Sequence, residues 1–328
     1  MGESQFSSQS ASIRALGSER DLRRSNILGV YGHTAMDVIY SSDEFPQPNT
    51  TVELKERREH FGGTGANIAR IAASLGVRTA LASYVGHDFP KEFMDALRKS
   101  GVDTTDLIKV RGARTPFIIL ISDKGHNQIG FVDQGAMREA DRLPIRTHTV
   151  DSSEFVHIGT GRPSYMLKVA KRAKKMKKTV GFDPAQELHY VYTAETLRPI
   201  LEYCDILFAN SAELEKSRKY LNLKEDVELL SYVDMVVNTR GDEGSRIMTD
   251  GDEILVGTIQ PDRVVDTTGA GDGFRAGFYA GLSRGLSLEE CAWVGAASAS
   301  FVVEGVGAQS ILPTWDMAQR RAARRKCV

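Results

Sequence analysis

From residue 27 onward the chain repeats one alternation: a short apolar run, then a segment with apolar residues at helical spacing, then another short run. The run 26–31 ends at Gly32 and reads as a buried strand. Across 66–75, Ile68, Ile71, Ala72 and Leu75 mark one face of a helix that Gly76 stops. A strand at 79–85 follows, then a helix at 90–100 opened by Pro90 and closed by Gly101. Downstream, strands are expected at 155–158, 180–183, 206–209 and 235–238, with helices at 165–177, 212–220, 269–285 and 287–303. Short, wholly apolar strands have nowhere polar to point. Alternated with helices, they predict an α/β fold: a mostly parallel central sheet covered by helices on both faces.

Two segments break the rhythm. Residues 37–61 and 112–134 contain no convincing helix. Runs at 116–122 and 128–133 flank DKGHN at 123–127, a hairpin signature, and 52–58 alternates apolar and charged residues. These pieces predict a small β-sheet that is discontinuous in sequence and projects from the α/β body. A flap over the strand ends is a natural lid, because open α/β sheets bind ligands at their carboxyl ends. The expected division is therefore a body at 27–36, 62–111 and 135–328, a lid at 37–61 and 112–134, and a tail at 1–26. The tail is rich in Ser and Arg and lacks the apolar core of a secretory signal. It reads as mobile or as an alternative start, with a short helix near 13–16.

Composition narrows the class of partner. Lys and Arg number 42 against 43 Asp and Glu, a balance of −1, so binding nucleic acid by bulk charge is disfavoured. The Lys-rich run 168–178 reads as the solvated face of a helix whose buried stripe is Met166, Val169, Ala170, Ala173 and Met176. No apolar run approaches the roughly 20 residues that a membrane span needs. Cys204, Cys291 and Cys327 are too few and too widely spaced for a disulfide framework, which points to a reducing cytoplasm. The seven His show no metal-ligand spacing.

The chemistry sits in two glycine-rich turns. DTTGAGD at 266–272 opens a helix. Gly269 and Gly271, with Ala270 between them, let the backbone approach a ligand and aim its N–H groups outward. The helix N-terminus adds roughly half a positive charge. That combination suits a phosphate whose charge grows in a transition state. Asp272, on the first turn, is placed to take a proton from an attacking hydroxyl, or serves only as a helix cap. FGGTGAN at 61–67 opens a second helix. It lacks the Gly-Lys-Ser/Thr of a Walker A loop and the spacing of a dinucleotide fingerprint. Gly62 and Gly63 would bring backbone amides to a polyol with Asn67 bracing the turn, or else simply make a tight strand-to-helix corner.

Taken together, GGTGAN at 62–67 and DTTGAGD at 266–272 resemble the two signatures of the ribokinase-like (PfkB) carbohydrate kinase family. The resemblance runs from Gly29 to Trp315. GHTAMD at 32–37 is similar to the family's first-strand segment, NSAE at 210–213 to its Asn-x-x-Glu motif, and TRGDEG at 239–244 to its ATP-contacting turn. Within the family, FPQPN at 45–49, NQI at 127–129, FDP at 182–184, ASFVVE at 299–304 and LPTWD at 312–316 resemble archaeal nucleoside kinases.

The resemblance implies a three-layer α/β/α body with a small β lid, and transfer of phosphate from ATP to the 5′-hydroxyl of a ribonucleoside. It implies Asp272 as base and residues 269–271 as the anion hole. Asp37, Gly62, Gly63 and Asn67 would hold ribose hydroxyls. Asn210, Thr239, Gly241 and Gly244 would contact ATP, and Asn210 and Glu213 would help place Mg²⁺ through water. Gln128, Phe117 and Phe131 either touch the base or pack the lid, and Arg162 either meets substrate or faces solvent. Arg275 either touches phosphate or forms a salt bridge. Asp266 and Thr268, with 307–309, match a monovalent-cation site, but Ile311 stands where ribokinase has Ser, so a K⁺ requirement stays open. So do two rivals, a sugar or sugar-phosphate kinase and a catalytically silent nucleoside-binding regulator. By analogy, lid sheets pair into homodimers.

Overall fold

The computed structural model describes residues 25–125 and 128–324, and of Gln128 only the backbone. The short helix expected near 13–16, Asn127 and Cys327 lie outside the described residues. The strands are β1 (Leu28–Tyr31), β2 (Ala35–Ser42), β3 (Leu54–Gly62), β4 (Thr79–Val85), β5 (Leu107–Lys109), β6 (Phe117–Ser122) and β7 (Gln128–Asp133). They continue as β8 (Phe155–Ile158), β9 (Thr179–Phe182), β10 (Ile206–Asn210), β11 (Met235–Thr239), β12 (Ser245–Thr249) and β13 (Asp252–Val256). The helices are α1 (Thr64–Ser74), α2 (Lys91–Lys99), α3 (His148–Ser152), α4 (Pro163–Lys175) and α5 (Ala194–Leu201). They continue as α6 (Ser211–Leu221), α7 (Ala270–Leu282), α8 (Leu288–Val302) and α9 (Trp315–Ala322).

Nine strands form one sheet in the order β13-β12-β11-β10-β9-β8-β1-β4-β5, parallel from β5 to β11. Side chains alternate across it. Ile206, Phe208, Met235 and Val237 join a core with Ile68, Phe93, Phe278 and Trp293 from α1, α2, α7 and α8. Leu207 and Val236 join another with Met166, Leu197 and Leu214 from α4, α5 and α6. The strands are apolar on both sides because both sides are covered, which is the expected three-layer arrangement. The row Gly273, Gly277 and Gly281 lets α7 lie directly on α8: a Cβ at Gly277 would stand 2.6 Å from the Val294 carbonyl oxygen.

A separate four-stranded sheet has the order β3-β2-β6-β7. β2 pairs parallel with β6, while β3 and β7 are antiparallel edges. Ala35 pairs with Gly62, so this sheet begins and ends slightly beyond the division expected at 37 and 61. The β12–β13 hairpin turns at Asp250 and Gly251, a signal present in the sequence but not used above. Three further helices, α3, α5 and α9, were also unanticipated. Pro199 lies inside α5 and obscured it, and α9 is short, with Thr314 accepting the Met317 N–H (3.3 Å) as its cap.

The parallel strands deliver their carboxyl ends to one edge. His33 follows β1, Thr160 follows β8, Asp183 follows β9, Asn210 ends β10 and Thr239 ends β11. All five line one cleft of about 780 Å³, with Ile118, Leu120 and Val132 of the small sheet on its other side.

Candidate active site

One end of the cleft is built by the turn into α1. Gly63 has φ +86°, and a Cβ there would lie 2.5 Å from the His33 carbonyl oxygen. Only glycine allows the chain to leave β3 and start a helix so close to β1. At Gly62 the constraint is the Asp37 carboxylate, because a Cβ would fall 2.0 Å from Asp37 Oδ2. Asp37 is 6% exposed, and its Oδ1 is buried without a hydrogen-bond partner. Burial, reinforced by the charges of Asp272 and Asp266, pushes its carboxyl up to about 7. An unpartnered buried acceptor is costly unless something donates to it, and a hydroxylated ligand would do so.

At the centre stands the N-terminus of α7. Gly269 has φ +80° and faces Ala308, whose Cβ would be 2.2 Å from any Cβ added there. This left-handed residue turns the chain so that residues 269–271 line the cleft at the N-terminus of α7, with the helix dipole behind them, and the Ala270 N–H itself donates to the Thr267 carbonyl (3.2 Å). Asp272, on the first turn, accepts a hydrogen bond from Asn67 Nδ2 (2.8 Å). Its carboxyl is pushed up to about 7 by burial and by Asp183 and Glu213, against the opposing pull of the Asn67 hydrogen bond and Arg275. A carboxylate near neutrality is matched to taking a proton from an alcohol.

The third part follows β9, β10 and β11. Asn210 and Glu213 form a reciprocal cap on α6. Asn210 N–H donates to Glu213 Oε2 (2.8 Å), and Glu213 N–H donates to Asn210 Oδ1 (2.9 Å). Arg275 forms the salt bridge and also lines the cleft. Its Nη2 donates to Asp183 Oδ1 (3.0 Å), its Nε contacts Asp183 Oδ2, and both residues are buried. Beside them, burial and the Arg275 charge push His157 down to about 3. Among the described residues no cluster of three or more His, Cys, Asp or Glu is arranged to hold a metal directly. The site fits Mg²⁺ only in its common form, one carboxylate plus waters and substrate phosphates, with Glu213 and Asn210 nearest that role. Asp266 Oδ1 accepts the Thr268 N–H (2.9 Å) and Oδ2 the Gly307 N–H (2.8 Å), tying together the two loops matched to a monovalent-cation site.

Asp37, Gly63, Asn67, Asn210, Glu213, Thr239, Gly241, Gly244, Gly269, Ala270, Gly271 and Asp272 all line the cleft. Gly62 does not line it but makes room for Asp37. Arg162 does not reach it: its Nε donates to Asp141 Oδ2 (3.1 Å), at the start of α4. A strand-end loop suggested contact, but the side chain turns to the nearer carboxylate. Gln128's side chain lies outside the described residues.

Sequence reasoning missed a polar wall. His33 bonds Thr160 Oγ1 (2.8 Å) and Gln134 Oε1 (2.8 Å), and Gln134 Nε2 donates to Glu187 Oε1 (2.6 Å). Glu187 is buried and also accepts the Gly161 N–H. Tyr190, 57% exposed, closes this wall. These residues come from four separate segments, and the only signal was His33 within GHTAMD.

Residues 27–315 match the pfkB family of carbohydrate kinases. The chain belongs to that family. It is therefore a phosphotransferase with an alcohol group as acceptor. Within the family it is 39% identical to the nucleoside kinase of Methanocaldococcus jannaschii over 292 residues, covering 88% of this chain and 94% of that one. It is 31% identical over 288 residues to the cytidine kinase of Thermococcus kodakarensis, covering 87% and 98%. The crystal structure of the M. jannaschii nucleoside kinase superposes with a TM-score of 0.85 at 38% identity, covering 92% of this chain and 99% of that chain. The ribokinase-like body and small sheet expected from the motifs are thus borne out. No helix among the described residues is long and apolar enough to cross a membrane.

Proposed function

We propose that this chain transfers the γ-phosphate of ATP to the 5′-hydroxyl of a ribonucleoside. One observation carries the reading. A single cleft places the unpartnered carboxylate of Asp37, the near-neutral Asp272 and the N-terminus of α7 opposite an apolar wall of Ile118, Leu120 and Val132. A free sugar would fill the polar end and leave that wall bare. A nucleoside has a base to cover it.

Asp37 accepts the ribose diol, which lowers the penalty of its buried oxygen. Asp272 receives the proton of the attacking hydroxyl as that oxygen bonds to the γ-phosphorus and the bond from that phosphorus to the β–γ bridging oxygen breaks, releasing ADP. The N–H groups at 269–271 hold the transferring phosphoryl oxygens, and positioning does most of the rest. Mg²⁺, when bound with ATP, offsets charge on the phosphates. Asn210, Thr239, Gly241 and Gly244 line the end left for the nucleotide.

We propose further that the small sheet, formed by the pieces at 37–61 and 112–134, acts as a lid on the body. Its edge strand β7 exposes Ile129 and Phe131, which supports pairing with a second copy. A cytoplasmic setting is supported by Cys204 and Cys291 both being buried free thiols.

The deciding experiment is a panel of ribonucleosides, ribose, fructose and fructose 6-phosphate with MgATP. Turnover of ribonucleosides is expected. Turnover of sugars alone would replace this reading by a sugar kinase. No turnover with retained nucleoside binding would replace it by a silent regulator.

A further inference from the structure

We propose that Gln309, itself held by Arg70, is a positioning residue that sets which end of the Asn67 amide faces Asp272. The proposal rests on the reading of Asp272 as base. Three hydrogen bonds run in one direction, from Arg70 through Gln309 and Asn67 to Asp272, and a fourth and fifth fix Arg70 from behind. The Ser100 hydroxyl donates to the Ala96 carbonyl (3.0 Å) and so turns a lone pair to Arg70 Nε (3.1 Å). Arg70 Nη1 donates to Gln309 Oε1 (3.0 Å), and Gln309 Nε2 donates to Asn67 Oδ1 (2.7 Å). Asn67 Nδ2 then donates to Asp272 Oδ2 (2.8 Å).

The direction is imposed from the far end. An amide can present either its oxygen or its NH₂, and both Gln309 and Asn67 are buried where water cannot correct a wrong choice. A guanidinium has donors only, so Gln309 must give Arg70 its oxygen. Its NH₂ then faces Asn67, whose own NH₂ must face Asp272. With the order reversed, an amide oxygen would confront the carboxylate and favour its protonated form. Neither Gln309 nor Arg70 lines the substrate cleft; both line a small separate cavity of about 210 Å³ beneath β3. Their influence on chemistry therefore passes through Asn67. The other charged groups facing Asp272 are Asp37 from β2, Asp183 after β9, Glu213 from α6 and Arg275 from α7 itself.

The test is the pH profile of kcat/KM for the full chain with its best ribonucleoside and MgATP. Gln309→Glu leaves only acceptors between Arg70 and Asn67, so Asn67 turns its oxygen to Asp272. The acidic limb should move up by about one pH unit, with turnover about tenfold down on that limb and recovering at high pH. Gln309→Met changes no charge and should move the limb the same way, by less. Arg70→Lys keeps a donor and should restore the wild-type profile, whereas Arg70→Met should not. Loss of thermal stability with an unmoved limb in both Gln309 variants would overturn the proposal. Asp272→Asn separates the two claims. If it keeps turnover, the base reading itself fails. If it is inactive while the Gln309 variants keep the wild-type limb, only the relay fails.

Discussion

At the scale of single residues, the site works by withholding water from carboxylates. Asp37 and Asp272 are both raised to about 7, chiefly by burial, and each charge adds to the burden of the other or of its neighbours. A base must be unprotonated, so kcat/KM is expected to rise with pH through about 7 and level above it. Asp272→Asn should lower turnover by about 10²–10⁴ while nucleoside binding, read by calorimetry, survives. The same shift acts on stability with the opposite sign. Asp37 has a folded pKa above its unfolded value, so its contribution is full below about pH 4 and is lost as pH rises through about 7. Asp37→Asn should therefore exceed wild type in urea unfolding at pH 8 by about 4 kcal/mol and show little gain at pH 4. Gly62→Ala would drive a methyl into the Asp37 carboxylate and should raise the nucleoside KM.

At the scale of elements, α7 carries both the proposed base and the packing of the body. Gly269 turns the chain at its start, and Gly269→Ala meets both a positive φ and the Ala308 side chain. Turnover should fall with this variant even where folding is retained, because the N–H groups no longer converge. One turn into the helix, Arg275 neutralises Asp183 in a site where neither reaches water. Arg275→Met should destabilise by about 3–5 kcal/mol, measured by denaturant unfolding, because it strands a buried charge. Adding Asp183→Asn should recover much of that loss. α7, α1 and their glycine turns were readable because each begins at a glycine-rich turn and continues with apolar or small residues at helical spacing. The β12–β13 hairpin, α5 and α9 were not, since short elements leave too few periods for a pattern to register.

At the scale of the molecule, the small sheet faces the body across the cleft and is joined to it through the β1–β2, β3–α1, β5–β6 and β7–α3 connections. Nucleoside binding is expected to protect the amides of 116–125 and 128–133 from hydrogen exchange more than those of β8 to β11. Equal or absent protection in the small sheet would mean that it is not a lid.

The sequence by itself determined the architecture and the two glycine-rich turns that line the cleft. Apolar strands alternating with helices admit one layered solution, and glycines at 63 and 269 mark backbone conformations that other residues enter with strain. What only the tertiary structure decided were partners distant in the chain. Arg162 turns away to Asp141, and Arg275 spends its charge on Asp183. His33, Thr160, Gln134 and Glu187 meet as a wall, and Arg70 and Gln309 stand behind Asn67. The physical reason is common to all of these. A hydrogen bond depends on separation in space, and residues as far apart as 67 and 309 show no periodicity that records their meeting.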